Sequence, residues 1–178
     1  GVKVIGQSKD SVIFEGAADE DVFSIETDEC TLECFTVQPG DEEIGVVFSA
    51  GIEKIKLADI NFDGAATSNE LIKVENTLTS LVIDNCYFYG GTKTIAAVAA
   101  PYISISDGTD ICIKNCEFTA IAAQTASIYV PETASKIEIN NSQITGGQTG
   151  ILLNDAALAG VSDVYIILCD ISNQIQYA

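Results

Sequence analysis

Cys112-Ile113-Lys114-Asn115-Cys116-Glu117-Phe118 is one copy of a phrase that recurs along the chain. Lys56-Leu57-Ala58-Asp59-Ile60-Asn61-Phe62 and Val82-Ile83-Asp84-Asn85-Cys86-Tyr87-Phe88 come before it. Glu138-Ile139-Asn140-Asn141-Ser142-Gln143-Ile144 and Tyr165-Ile166-Ile167-Leu168-Cys169-Asp170-Ile171 come after it. Thr31-Leu32-Glu33-Cys34-Phe35-Thr36-Val37 is a weaker copy, and Lys3-Val4-Ile5-Gly6 the faintest. The lead aliphatic falls at 4, 32, 57, 83, 113, 139 and 166, so the intervals are 28, 25, 26, 30, 26 and 27 residues. A recurring period of this size marks a repeat architecture.

Within each unit the apolar residues alternate with period two, as strands require. Ile55/Leu57, Leu81/Ile83, Ile111/Ile113, Ile137/Ile139 and Val164/Ile166 form one inward set. Upstream lie Phe23/Ile25, Ile72/Val74, Ile103/Ile105, Ile128/Val130 and Ile151/Leu153. After a tight bend comes a third set, Phe62, Phe88, Phe118, Ile144 and Ile171. Helical spacing never persists for more than a turn. Three short strands per coil predict an all-β chain wound as a right-handed parallel β-helix. Residues 1–178 then form a single solenoid domain of about six to seven coils, stacked roughly 4.8 Å apart.

At this point the chain resembles the pectate-lyase-like β-helix superfamily over essentially its whole length. Gly1-Val2-Lys3-Val4-Ile5-Gly6 followed by Ser11-Val12-Ile13-Phe14-Glu15-Gly16 looks like an early coil of that family. Asn85, Asn115 and Asn141 share one column at the bend, with Gly6 and Asp59 aligned to them. Asn, Asp and Gly tolerate the left-handed backbone of a sharp corner. The resemblance implies that these asparagines hydrogen-bond along the axis as a ladder. Cys34 and Leu168 depart from the pattern, so the ladder is expected to break in the outer coils. The fold hosts lyases, hydrolases, adhesins and spikes, so it does not fix an activity.

Composition excludes several functions. Acidic residues number 26 and basic ones 8, a net charge of −18, and all eight basic residues are lysine. Phosphate clamping on nucleic acid needs a positive surface, which is missing. Histidine, tryptophan and methionine are absent. That removes histidine acid–base chemistry, Ser-His-Asp and Cys-His triads, and zinc sites that use histidine. No apolar run is long enough to span a membrane as a helix. A chain that begins at Gly1 without methionine is expected to be a processed mature protein or an excised piece.

The resemblance also says where an active site would lie. The family's lyases need an arginine or lysine base near calcium-holding carboxylates, on outward strand positions. Here one outward column reads Lys56, Val82, Cys112, Glu138, Tyr165 and the next Ala58, Asp84, Lys114, Asn140, Ile167. Neither stacks two carboxylates, as glycosidic cleavage would need. Asp84 and Lys114 read as a cross-strand ion pair worth under about 1 kcal/mol. No enzyme and no cofactor are expected. Acidic turns at Glu20-Asp21, Asp28-Glu29 and Asp41-Glu42-Glu43 read as a solvated face, with loose calcium binding as the sharper alternative.

Six cysteines are present and none forms a CxxC pair, so zinc knuckles and thioredoxin-type sites are poorly supported. Cys86, Cys116 and Cys169 follow Ile60 in an inward column, as core thiols or a Cys86–Cys116 disulfide. Cys34 at a corner and Cys112 facing outward are candidates for cross-linking between chains. Asn140-Asn141-Ser142 matches the N-glycosylation pattern.

Gly1 enters directly into a coil, and the stretch from Ile171 to Ala178 stops inside one, with no amphipathic helix or charged plug. The ends therefore read as uncapped: either a fragment, or edges that pair with copies of the same chain, head-to-tail and laterally. Val82, Leu152, Tyr165, Ile167 and Leu168 are apolar at outward positions and form the candidate interface. These features predict an extracellular, self-assembling structural protein of a sheath, surface layer or fibre. Its general character is similar to the sheath proteins of filamentous methanogenic archaea. The alternative is a glycan-binding β-helix module of an adhesin or phage spike. Only Tyr87, Tyr89, Tyr102, Tyr129, Tyr165 and Tyr177 are available for sugar contacts besides phenylalanine, with no tryptophan for stacking, which favours the structural reading.

Overall fold

A computed structural model describes the chain except residues 18–19, 41, 65–68, 76, 91–93, 96–97, 121–125, 132, 148, 154–161, 173 and 178. For residues 94–95, 98–99 and 174–177 the backbone alone is described. The described residues are all-β, and none of them forms a helix long and apolar enough to cross a membrane.

The chain winds as a parallel β-solenoid, with its strands stacked in three columns. The first column holds Lys3–Ile5, the first halves of Thr31–Gln38 and Glu53–Gly64, then Thr79–Asp84, Thr109–Lys114, Ser135–Asn140 and Ser162–Ile167. The second holds Ile13–Glu15, the second halves of those two long strands, then Tyr87–Gly90, Glu117–Ala120, Gln143–Gly146 and Asp170–Ile171. The third runs from Phe23–Ile25 through Val46–Phe48, Ile72–Val74, Ile103–Ile105, Ala126–Val130 and Thr149–Leu153 to Gln174–Tyr177. Every pairing between neighbouring rungs is parallel. One small antiparallel hairpin, Thr94–Ile95 with Val98–Ala99, lies outside the columns.

The period-two pattern explains the burial. Leu32, Leu57, Ile83, Ile113 and Ile139 stack inward one above another and are fully enclosed. In the second column Phe62, Phe88 and Phe118 lie face to face, with centroids 4.7 and 4.6 Å apart and planes within 3°. That separation matches the rung spacing of a parallel sheet. Burying each ring contributes roughly 3 kcal/mol. Near the first rung Phe14 packs edge-on against Phe23 and Phe35, at 5.0 and 4.8 Å.

The corner between the first two columns lies where the sequence places it. Cys34, Asp59, Asn85, Asn115, Asn141 and Leu168 all hold φ between 46° and 64°. Leu168 thus keeps the left-handed turn although its side chain gives it no local reason to. A second left-handed column precedes the first set of strands: Glu29, Lys54, Ser80, Asp110, Lys136 and Asp163, with φ between 52° and 64°. Nothing in its residue types announces it. Its charges alternate instead, with Glu29–Lys54 paired at 3.2 Å and Asp110–Lys136 at 3.4 Å. At the far end of the second column Gly146 takes φ +73°, and a Cβ there would meet the Ala120 carbonyl oxygen at 1.9 Å. Only glycine fits that corner.

Candidate functional site

The ladder is built from side-chain amides. Asn141 Nδ2 donates to Asn115 Oδ1 at 2.8 Å, and Asn85 Nδ2 to Asp59 Oδ1 at 2.5 Å. Asn115 does not continue the line to Asn85. Its Nδ2 donates to Asp84 Oδ1 at 2.8 Å, one residue earlier on the neighbouring rung. Asp84 is also the partner of Lys114 at 3.3 Å, so its carboxylate serves both an ion pair and the ladder.

Directly after Asn85, Asn115, Asn141 and Leu168 stands an inward thiol or hydroxyl, whereas Asp59 is followed by Ile60. The Cys86, Cys116 and Cys169 thiols donate to the carbonyls two residues back, at 3.4, 3.2 and 3.3 Å. Ser142 does the same at 3.0 Å and accepts the Cys116 N–H at 3.2 Å. These four rungs thus close their own corners with a local side-chain bond. All six cysteines are free thiols, so the Cys86–Cys116 disulfide left open by the sequence is not formed. Burial, with the Cys116 sulfur beside it, pushes the Cys86 thiol well above its ordinary range. A buried thiol with that bias is a small core residue, not a nucleophile. The glycosylation pattern falls on the same corner, where Ser142 is enclosed and Asn140 donates to Glu138 Oε1 at 3.2 Å.

The outer face of the first column carries the groups that could act on something else. Lys56, Val82, Cys112, Glu138 and Tyr165 follow one another in register. Asp110, Lys136 and Asp163 of the left-handed column flank this line. Around Cys112, Glu138 and Tyr165 they enclose an open groove of about 570 Å³, with Ile111 beneath. Cys112 is half-buried, and its thiol is raised by burial first and then by the Glu138 charge, against a smaller pull from Lys114. It stays protonated at neutral pH. Asp110 is occupied by Lys136, and Glu138 accepts from Asn140. The groove offers an aromatic ring, carboxylate acceptors and one thiol, which suits binding or cross-linking.

The five residues of the candidate interface do not form one patch. Tyr165, Ile167 and Leu168 lie together and expose 57%, 42% and 82% of their surface. Val82 is half-buried three rungs from Tyr165, and Leu152 belongs to the third column, beside Tyr129. Tyr102, counted among residues free to contact sugar, is fully buried. Its hydroxyl lies 2.6 Å from the Thr119 carbonyl oxygen and 2.9 Å from that of Gly90, and shares one proton between them. Tyr87 and Tyr89 stack on each other at 4.8 Å, and the Tyr177 side chain lies outside the described residues.

The acidic turns have structural employment. Asp21 Oδ1 accepts the Ile44 N–H and Asp28 Oδ1 the Glu53 N–H, each at 3.0 Å and each from the next rung. Asp41 lies outside the described residues. A metal-sized cluster lies elsewhere, at Glu33, Cys34 and Asp59, whose ligand atoms fall within 4.8 Å of one another. Glu33 already pairs with Lys3 at 3.3 Å, and Asp59 accepts from Asn85. No family model, no curated protein and no solved structure matches the chain.

Proposed function

We propose that this is a non-catalytic structural protein of the cell exterior, a self-assembling subunit of a sheath, surface layer or fibre. On this reading the solenoid is a scaffold of the pectate-lyase-like kind, its copies join along strand edges and side walls, and thiol cross-links reinforce the joints. The observation that carries the reading is the cluster of Tyr165, Ile167 and Leu168, exposed on the wall of a chain with net charge −18. An apolar cluster on so acidic a surface is what an interface requires.

Electron microscopy of the purified chain, with denaturing gels run with and without reductant, tests this. Regular tubes, sheets or fibres that release monomer on reduction are the expected result. A monodisperse particle indifferent to concentration and reductant would sink it. The exposed Tyr165 ring among the carboxylates of Asp110, Glu138 and Asp163 favours the alternative, a glycan-binding module. Saturable binding of neutral oligosaccharides, lost in Tyr165→Ala, would then be the finding.

A further inference from the structure

We propose that the outer face of the first column is a two-fold interface between copies of this chain, with Cys112 on the axis. The inference rests on the self-assembly reading and specifies one of its contacts. It starts from an imbalance among the lysines. Lys3, Lys54, Lys73, Lys114 and Lys136 each pair with a carboxylate. Lys56 is exposed and has no such partner among the described residues. At the other end of the same line of side chains stands Tyr165, its ring open to solvent between Glu138 and Asp163. An ammonium over an aromatic face flanked by carboxylates is a favourable pairing. Within one chain the two ends cannot meet, because Val82, Cys112 and Glu138 separate them.

Two copies can bring them together. Let the walls face each other with solenoid axes antiparallel, related by a two-fold along the strand direction. Seating Lys56 of one copy on Tyr165 of the other then fixes the axis at the rung midway between them, Thr109–Lys114. Three consequences follow from the register. Cys112 faces its own copy. Lys54, level with Lys56 in the left-handed column and shared with Glu29 of its own chain, faces Asp163, level with Tyr165. Asp110 and Lys114 also meet their own copies, but Lys136 and Asp84 already neutralise them within each chain. The two ends of the wall thus set lysines against tyrosine and aspartate, which is why the occupant is a second copy. Five rungs of six residues cover about 24 by 20 Å, or roughly 500 Å² per copy. That lies at the low end for specific pairs, so the contact is weak until the thiols join.

The test uses the whole reduced chain, oxidised with a diazenedicarboxamide. Its N=N bond takes two electrons and two protons from the facing thiols, leaving one Cys112–Cys112 disulfide and the hydrazine. Peptide mapping is expected to find that bond. Lys56→Glu should lower the dimer yield at least about threefold. Lys54→Asp and Asp163→Lys should each lower it, and the double variant should restore it. Cys112→Ser should abolish the covalent dimer and keep the concentration-dependent one in sedimentation. A cross-link through Cys34 instead, or a yield indifferent to these charges, overturns the register while assemblies seen by microscopy leave self-assembly standing. A chain that sediments as monomer at every concentration overturns both.

Discussion

Asn141 donates its side-chain amide to the side-chain oxygen of Asn115 at 2.8 Å, one rung away, while both hold a left-handed backbone. The two roles are separable. A left-handed residue other than glycine costs about 1 kcal/mol or more, and Asn lowers that cost. The bond itself is worth about 1 kcal/mol. Asn115→Gly keeps the corner and loses the bonds to Asn141 and Asp84, whereas Asn115→Ala loses both. Urea denaturation should show Asn115→Gly less stable by about 2 kcal/mol, for two lost bonds, and Asn115→Ala by about 3 kcal/mol. Equal losses would mean that the corner conformation is not what Asn supplies.

Leu168 reverses the experiment. It occupies the next ladder position with φ 53°, and its side chain is 82% exposed. Leucine there carries the left-handed cost and returns neither a ladder bond nor burial. Leu168→Asn should stabilise the fold by about 1 kcal/mol, because the new amide can reach Asn141 Oδ1. It should also weaken assembly if Leu168 belongs to the joint. A loss of stability on this change would show that packing in the last rung depends on the leucine.

The contrast between these corners explains what the sequence makes legible. A position that selects Asn, Asp or Gly leaves a chemical mark, and Asn85, Asn115 and Asn141 reveal the first corner at the right residues. The second left-handed column holds Glu29, Lys54, Ser80, Asp110, Lys136 and Asp163, whose backbone is held by pairing with neighbouring rungs. Long charged side chains look like any exposed face, so period-two reasoning passes over it. Burial by cross-column packing is equally hidden. Tyr102 reads as a surface aromatic, yet it closes the core over Phe88 at 6.2 Å because two carbonyls receive its hydroxyl. The groove was half legible. Cys112, Glu138 and Tyr165 follow from the repeat, but Asp110, Lys136 and Asp163 flank it only because the unannounced corner turns them outward.

The phenylalanine stack makes a sharper claim about stability. Phe88 touches Phe62 on one side and Phe118 on the other, with no exposed surface. Phe88→Ala should cost about 3 to 5 kcal/mol, since rungs on both sides hold the cavity open. Phe88→Leu fills most of the volume and should cost under about 2 kcal/mol. Thermal melts of the two variants distinguish a rigid stack from one that collapses, in which case the alanine variant would lose no more than the leucine variant.

Cys86 gives the fold a pH dependence on the alkaline side. Its thiol is pushed up by burial first and by the neighbouring Cys116 second. In the unfolded chain a cysteine ionises near about pH 8.5. Below that pH both states keep the proton, and this group leaves stability unchanged. Above it the unfolded chain releases a proton that the folded chain retains, so stability falls by up to about 1.4 kcal/mol per pH unit. The loss continues until pH passes the raised folded value. Denaturation midpoints measured from pH 7 to 9.5, below the range where lysines titrate, should therefore decline in the native chain. In Cys86→Ala the starting stability is lower, but the decline should be shallower. An identical slope in both proteins would show that Cys86 exchanges its proton as freely in the fold as out of it.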